Sequence, residues 1–314
     1  MEKKPKVIVI CGPTASGKTG LSIELAKKID GEIVSCDSMQ IYKDMTIGTA
    51  KPTPEEMQGI PHYLIDFVSP DMRYSVADFQ KDAEAAIEEI LAKNKVPIVV
   101  GGTGLYVDSL IYHIQYPEIE IDLTYRKQLE EMIGKQGLEV AYQKAKEIDP
   151  EAADKISSND KKRIMRILEI YHQTGKTKTE MELESRKVEP PYDYLVYAIN
   201  MDRDKLYDRI NQRVDIMIEQ GLIEEVQLLL QKYKHFPTAM QGLGYKEVVY
   251  YLQGNMTKEE MIEKLKMETR RYAKRQLTWF RKNKEIKWID GLLPKEKNIQ
   301  MILEDYSEEK TQKP

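Results

Sequence analysis

The chain has 314 residues, and its 48 Lys and Arg residues stand against 52 Asp and Glu residues, a formal net charge of −4. About two globular domains fit this length, and no apolar run approaches the roughly 20 residues of a membrane-spanning helix. Two cysteines exclude a disulfide framework, and four scattered histidines lack zinc-ligand spacing. We therefore expect a cytoplasmic protein with no membrane partner, and the net charge alone argues against nucleic acid.

Short β-branched runs alternate with amphipathic segments over the first hundred residues. The runs Lys6–Cys11, Glu32–Cys36 and Val96–Val100 predict buried parallel strands, and Lys18–Ile29 and Asp78–Lys93 predict helices between them. This alternation is typical of an α/β fold with a parallel sheet and helices on both faces.

The pattern changes after residue 113. Strand signals return only at Tyr194–Ile199, beyond the Pro190-Pro191 pair. We therefore predict an all-helical insertion domain at 114–193, inside a core domain formed by 1–113 and 194–314. Three helices are predicted within the insertion: Asp122–Gly134, Leu138–Glu147 and Asp160–Thr174.

Helical periodicity dominates the rest of the chain. A last strand is predicted at Glu285–Ile289, and the polar sequence after Pro294 is predicted to be mobile. No long apolar heptad repeat suggests obligate assembly, so we expect a monomer. Four helices are predicted: Asp202–Gln220, Leu222–Tyr233, Tyr245–Leu252 and Lys258–Asn283.

Charge is distributed unevenly. Residues 1–120 carry 12 Lys and Arg against 18 acidic residues, whereas 121–314 carry 36 against 34. Two segments are strongly basic: Lys155–Lys178 has seven basic and two acidic residues, and Met261–Trp288 has ten and three. Such clusters are either solvated helix faces or the footprint of a nucleic acid.

A phosphate-binding loop lies between the first strand and the first helix. Its sequence matches G-x-x-x-x-G-K-[ST], whose backbone amides and helix N-terminus surround phosphate oxygens. Lys18 supplies positive charge, and the Thr19 hydroxyl suits Mg²⁺. We therefore predict a P-loop NTPase-like core that binds a di- or triphosphate. The loop residues are Gly12, Pro13, Thr14, Ala15, Ser16, Gly17, Lys18 and Thr19.

Two further strand ends meet at the edge of the sheet that carries this loop. The strand at Val96–Val100 ends in Gly-Gly-Thr-Gly and lacks the terminal Asp that holds Mg²⁺ in many ATPases. The second strand delivers Asp37 at its carboxyl end, where ligands bind in open parallel sheets. Asp37 is a candidate metal ligand or proton acceptor. Thr103 is a candidate hydrogen-bond donor to a phosphate group.

These motifs resemble the tRNA dimethylallyltransferase family, in its bacterial type without a C-terminal zinc finger. The resemblance extends from about residue 5 to residue 290. In the N-terminal part it is carried by GPTASGKT (12–19), DSMQIY (37–42), GTAKP (48–52), PHYLID (61–66), YSVADF (74–79) and GGTGLY (101–106). Later it is carried by RIMRILE (163–169), RVDIMIEQGLIEEV (213–226), QGLGYKE (241–247) and TRRYAKRQLTWFR (269–281).

The resemblance implies transfer of a dimethylallyl group from dimethylallyl diphosphate to the 6-amino group of the adenine just 3′ of certain tRNA anticodons. Diphosphate leaves intact, which accounts for the missing metal-binding Asp. The phosphate loop then binds the diphosphate with Mg²⁺ at Thr19, and Thr103 and Arg126 complete that site. Asp37 takes the proton from the adenine amine.

The same resemblance implies that the helical insertion and the last long helix bind the anticodon stem-loop. Lys162 departs from the family, which has glutamine there, so that contact is open. The implied tRNA-binding residues are Asp37, Ser38, Met39, Gln40, Lys162, Arg163, Ile164, Met165, Arg166, Lys274 and Arg275.

Three other functions remain open from the residues alone. A small-molecule kinase would use the loop for ATP, but about 200 residues would suffice for it. A prenyltransferase acting on free adenine nucleotides would need the same site without a basic surface. The third is a non-catalytic, nucleotide-dependent RNA-binding module.

Overall fold

The computed structural model describes residues 4–116, 122–185 and 188–311. The chain divides into two compact units: Met1–Ile111 with Pro191–Pro314 form the first, and Tyr112–Pro190 form the second. The predicted helical insertion, 114–193, covers nearly the same residues as the second unit. In the described part of the chain, no helix is long and apolar enough to cross a membrane.

A parallel sheet forms the centre of the first unit. Its order across the sheet is β3-β2-β4-β1-β5-β6, and every neighbouring pair is parallel. All carboxyl ends therefore lie at one edge, and the predicted parallel α/β architecture is confirmed. In chain order the strands are β1 (Lys6–Cys11), β2 (Gly31–Cys36), β3 (His62–Tyr63), β4 (Val96–Gly101), β5 (Asp193–Asn200) and β6 (Lys287–Asp290).

Helices cover both faces of this sheet. Along β1, Val7 and Val9 pack in one core with Phe79, whereas Ile8 and Ile10 pack in the other core with Leu25. A strand buried on both faces reads as a continuous apolar run, as the sequence predicted. The first four helices are α1 (Lys18–Ile29), α2 (Pro54–Met57), α3 (Val76–Ala92) and α4 (Gly104–Ile111).

Helices are the only regular secondary structure in the described residues of the second unit. Its core is small and contains Leu129, Ala141, Ala145, Ile164 and Leu168. The helices are α5 (Leu123–Gln136), α6 (Leu138–Ile148), α7 (Pro150–Asp154), α8 (Lys161–Thr174) and α9 (Lys178–Ser185).

The C-terminal segment corrects one prediction. It forms a helix rather than a mobile tail, because Ile299 and Ile302 are buried in the same core as α1. The Tyr197 hydroxyl of β5 also donates a 2.7 Å hydrogen bond to Asp305. The remaining helices are α10 (Arg203–Glu219), α11 (Leu222–Lys232), α12 (Tyr245–Leu252), α13 (Lys258–Phe280) and α14 (Lys295–Thr311).

The segment that follows β2 packs on α11, α12 and α13. Tyr42 and Met45 are buried among side chains of these helices. The Glu225 carboxylate accepts hydrogen bonds from the backbone N–H groups of residues 46–48, at 2.7 to 3.1 Å. It also accepts one from the Tyr245 hydroxyl at 2.7 Å. This segment is thus fixed by its own core beside the sheet edge.

Candidate active site

Three strand ends lie level with one another at the carboxyl edge of the sheet. Cys11, the last residue of β1, pairs with Gly101 of β4, and Gly101 pairs with Cys36 of β2. The approach is close: a Cβ at Gly101 would lie 1.9 Å from the Cys36 carbonyl oxygen, so only glycine fits there. Burial raises the pKa of both thiols, that of Cys11 to about 12, so neither cysteine serves as a thiolate nucleophile.

The phosphate loop curls around its own lysine. Gly17 has a φ of 91°, a left-handed conformation that precedes the first residue of α1. The Lys18 ammonium donates hydrogen bonds to the carbonyls of Gly12 at 3.0 Å and Pro13 at 2.7 Å. Among the described residues, the buried Ser16 hydroxyl has no partner. A buried polar atom of this kind at a helix N-terminus is a position where a ligand oxygen is favourable.

A second cation reinforces the loop. Arg213 of α10 brings its Nη1 to 3.5 Å from the Thr14 hydroxyl. The pKa of Lys18 is lowered to about 8: burial contributes most, the charge of Arg213 acts in the same direction, and the carboxylate of Asp37 opposes both. Burial also lowers the pKa of Arg213. Two half-desolvated cations at one loop favour an anion with more than one charge.

Asp37 holds one oxygen fixed and leaves the other available. Its Oδ1 accepts hydrogen bonds from the N–H groups of Met39 at 2.8 Å and Gln40 at 3.3 Å. Within the described ranges, no hydrogen bond engages Oδ2. Next to it, the Thr103 hydroxyl oxygen accepts a 3.0 Å hydrogen bond from the Ser38 N–H group. The carboxylate is therefore oriented and retains an acceptor for a proton.

Met39 and Gln40 also hold the segment that follows Asp37. The Gln40 amide donates hydrogen bonds to the carbonyls of Thr49 at 3.2 Å and Ala50 at 3.1 Å. Met39 is partly buried in the core that contains Tyr42. Their predicted contact with tRNA stays a prediction.

Helix α13 supplies residues that the sequence analysis did not single out. The Gln276 side chain hydrogen-bonds both Thr14 and Gly102. Burial raises the pKa of the half-buried Tyr272 hydroxyl, and the neighbouring Thr103 side chain opposes this shift. The guanidinium of the exposed Arg275 lies 5.7 Å from the centre of the Tyr272 ring. The available signal was the spacing of Tyr272, Gln276 and Trp279, which places them on one face of a helix.

The second unit holds Arg126 and the predicted residues of α8. Arg126 forms an ion pair with Glu169, its Nε 3.3 Å from Oε1, and its part in a diphosphate site stays a prediction. On α8 the exposed Arg163 pairs with Asp160 at 2.8 Å, and Lys162 and Arg166 are exposed as well.

For two residues of α8 the predicted tRNA contact needs a correction. Ile164 is fully buried and Met165 nearly so, both within the core of the second unit. Their side chains therefore pack against neighbouring helices and do not reach a nucleic acid. The basic residues of α8 alternate with this apolar face, which is the ordinary pattern of an amphipathic helix.

The donor set near the loop fits a metal ion held mainly by its substrate. No group of three or more His, Cys, Asp or Glu side chains forms a metal cage in the described part of the chain. Thr19 lies exposed in the first turn of α1. Mg²⁺ is commonly held by one or two protein oxygens together with phosphate oxygens and water, and the Thr19 hydroxyl and the Asp37 carboxylate are oxygens of that kind.

Comparison with known proteins agrees with this geometry. Residues 40–283 match the family model described as IPP transferase. The chain belongs to this family. A protein of Acetivibrio thermocellus named tRNA dimethylallyltransferase is 54% identical, over 90% of this chain and 91% of its own length. The family predicted from the motifs is thereby confirmed.

Two solved structures of family members are similar in fold. The full-length tRNA isopentenylpyrophosphate transferase of Bacillus halodurans is 44% identical, with a TM-score of 0.73 over 97% of this chain and 96% of that one. A eukaryotic dimethylallyltransferase acting on tRNA is 32% identical, with a TM-score of 0.80 over 97% of this chain and 80% of that one. The P-loop NTPase-like α/β fold is thus the fold of the family.

Proposed function

We propose that this protein transfers a dimethylallyl group from dimethylallyl diphosphate to the 6-amino group of an adenine in tRNA, with release of diphosphate. The names of its relatives support the reaction. One observation carries the assignment of the site: a phosphate loop with two half-buried cations ends level with a carboxylate whose Oδ2 is available. The loop takes the leaving group, and the carboxylate takes the proton.

The leaving group requires stabilisation of negative charge. The allylic carbon–oxygen bond breaks with both electrons on the diphosphate, so charge accumulates where Lys18 and Arg213 lie. Preorganised donors at such a position are usually the largest catalytic contribution. Thr103 completes this set in the proposal, and the part of Arg126 stays a prediction from the family motif.

A magnesium ion bound at Thr19 and the diphosphate oxygens would neutralise part of the same charge. Thr19 and the loop residues hold the diphosphate in a fixed position, and this orients the allylic carbon away from the loop. The amine that attacks this carbon then approaches from the side of Asp37.

The adenine amine is a weak nucleophile, since its lone pair is delocalised into the ring. As the nitrogen–carbon bond forms, a proton leaves the nitrogen for Oδ2 of Asp37. The adenine just 3′ of the anticodon lies in a single-stranded loop, where extracting a base costs least. The basic residues of α8 and α13 contact the phosphates of the stem-loop.

The test uses the full chain with Mg²⁺, radiolabelled dimethylallyl diphosphate and unmodified tRNA, AMP or no acceptor. We expect label in tRNA only. Label in AMP but not in tRNA would identify a prenyltransferase of free nucleotides. Consumption of ATP without any prenyl transfer would identify a kinase instead.

A further inference from the structure

One buried glutamine of α13 bridges two loops of the candidate active site. The Oε1 of Gln276 accepts a hydrogen bond from the Thr14 N–H group at 2.9 Å, and its Nε2 donates to the Gly102 carbonyl at 2.8 Å. The side chain is 6% exposed. Both partners are main-chain atoms, so the bridge fixes the paths of the loops and not merely two side chains.

Gly102 is a glycine because of this bridge. A Cβ at this position would lie 2.2 Å from the Gln276 Nε2. The φ of Gly102 is outside the left-handed region, so its backbone conformation does not itself demand glycine. The space beside Gly102 is therefore occupied by the glutamine.

The neighbours of Gln276 on the same helix face act on the same turn. Tyr272, one turn earlier, lies beside Thr103, whose side chain opposes the rise that burial causes in the pKa of the Tyr272 hydroxyl. Trp279, about one turn later, donates its indole N–H to Asp108 at 2.9 Å, and a Cβ at Gly104 would lie 2.4 Å from its ring. One face of α13 thus packs against the Gly101–Gly104 turn, with Gln276 at Gly102, Tyr272 beside Thr103 and Trp279 at Gly104.

We propose that Gln276 is a positioning residue, which holds the phosphate loop and the Gly101–Gly104 turn at a fixed separation. Lys18 and Thr103 then approach the same diphosphate without rearrangement. Gln276 acts through Thr14 and Gly102 and does not touch the substrate. The identity of the substrate in this role rests on the proposed function, whereas the hydrogen bonds of the bridge do not depend on it. Fixing both loops in advance removes a reorganisation that the reaction would otherwise require.

The first test is Gln276→Met in the full chain, which keeps the length of the side chain and removes both hydrogen bonds. The KM for dimethylallyl diphosphate should rise, or kcat fall, by about 10- to 100-fold, the loss expected when buried polar groups lose their partner. The KM for tRNA should stay within about 2-fold of the wild-type value, since the substitution removes no contact with tRNA. Unchanged kinetic constants would overturn the role.

Gln80→Met is the matched control. Gln80 is a buried glutamine of α3, 7% exposed, that hydrogen-bonds Glu84 at 3.1 Å. Both variants should lower the melting temperature, but only Gln276→Met should change the kinetic constants for dimethylallyl diphosphate. An equal kinetic loss in both would show that the effect is a general loss of stability, and would overturn the role.

The second test is a double-mutant cycle, which also serves if Gln276→Met does not fold. Gly102→Ala in the wild-type chain forces Gln276 aside and should lower kcat/KM by about 10-fold or more. In a Gln276→Ala background the 2.2 Å contact is absent, and the next atom is the Gly12 carbonyl oxygen at 3.3 Å. Adding Gly102→Ala to Gln276→Ala should then lower kcat/KM little further. Additive losses would overturn the bridge.

Calorimetry with inorganic diphosphate separates this role from the proposed function. Suppose that the wild-type chain transfers no prenyl group but binds diphosphate, and that Gln276→Met lowers this affinity whereas Gln80→Met does not. The proposed function then fails and the positioning role stands. If the wild-type chain transfers the group and Gln276→Met does so equally well, the positioning role fails alone.

Discussion

The carboxyl edge of the sheet and helix α8 hold their charged side chains in opposite ways. At the sheet edge the cations are desolvated, and the loops are fixed by distant parts of the chain: Gln276 lies 262 residues from its partner Thr14. On α8 the basic side chains are exposed, and Arg163 pairs with Asp160 only three residues away. One region is preorganised by long-range contacts, whereas the other is an ordinary amphipathic surface.

This difference corresponds to two physical tasks. Bond breaking requires groups fixed near the reacting atoms, because reorganisation would add to the barrier. Binding a phosphodiester backbone requires positive charge, which need not be rigidly placed. Substitutions at the sheet edge should therefore change kcat or the KM for dimethylallyl diphosphate. Substitutions on α8 should change tRNA affinity and its dependence on salt.

The largest effect is expected at Asp37. Asp37→Asn keeps the shape of the side chain but cannot accept the proton, so kcat should fall by about 10²- to 10⁴-fold, the usual contribution of a general base. The affinity for tRNA, measured by filter binding, should remain close to wild type. Asp30→Asn is the control: it lies before β2 rather than after it and pairs with Lys95 at 3.3 Å. Near-wild-type turnover of Asp37→Asn would remove this residue as the base.

A smaller effect is expected at Arg213. Arg213→Gln removes one of the two cations at the loop, and the KM for dimethylallyl diphosphate should rise by about 10- to 100-fold, the range for hydrogen bonds to charged groups. The control is Arg203→Gln on the same helix, whose exposed guanidinium lies 5.2 Å from the centre of the Tyr207 ring. An equal rise in both variants would mean that only the overall charge of α10 matters.

The pKa of Lys18 gives a prediction that needs no substitution. Its pKa is lowered to about 8 in the free protein, and a bound diphosphate will raise it. Below pH 8 Lys18 is protonated in both the free and the diphosphate-bound protein, and the affinity for diphosphate is at its maximum. Above pH 8 binding must take up a proton, so affinity should fall by up to about 10-fold per pH unit until the pKa of the bound state.

Calorimetry in buffers of different ionisation enthalpy measures this uptake directly. With dimethylallyl diphosphate, whose phosphate groups are ionised above about pH 7, uptake should be small at pH 7 and approach one proton at pH 9. Absence of uptake at pH 9 would mean that the bound ligand does not contact the Lys18 ammonium.

The same contrast explains what the sequence could predict. The loop at 12–19 and Asp37 are contiguous with their strands, so local pattern placed them at the sheet edge. Arg213 and Gln276 approach Thr14 from 199 and 262 residues away, and helical periodicity does not show which face meets the loop. Helix α14 was missed because its composition is polar, although two isoleucines one turn apart carry its packing. Ile164 and Met165 belong to the predicted tRNA-binding motif only because they lie between its basic residues, and their apolar spacing indicates burial instead.

The smallest effect, and the sharpest test of the surface region, is expected on α8. Lys162→Ala with Arg166→Ala removes two exposed charges, so tRNA affinity should fall several-fold at low salt and the slope of log affinity against log salt should become less steep by about 1.5. Lys27→Ala with Lys28→Ala removes the same charge from the last turn of α1, at the opposite edge of the sheet from the phosphate loop. Turnover at saturating tRNA should be unchanged in both pairs, because neither touches the reacting atoms. If both pairs shift the salt slope equally, tRNA responds to net charge alone, and α8 is not part of its binding surface.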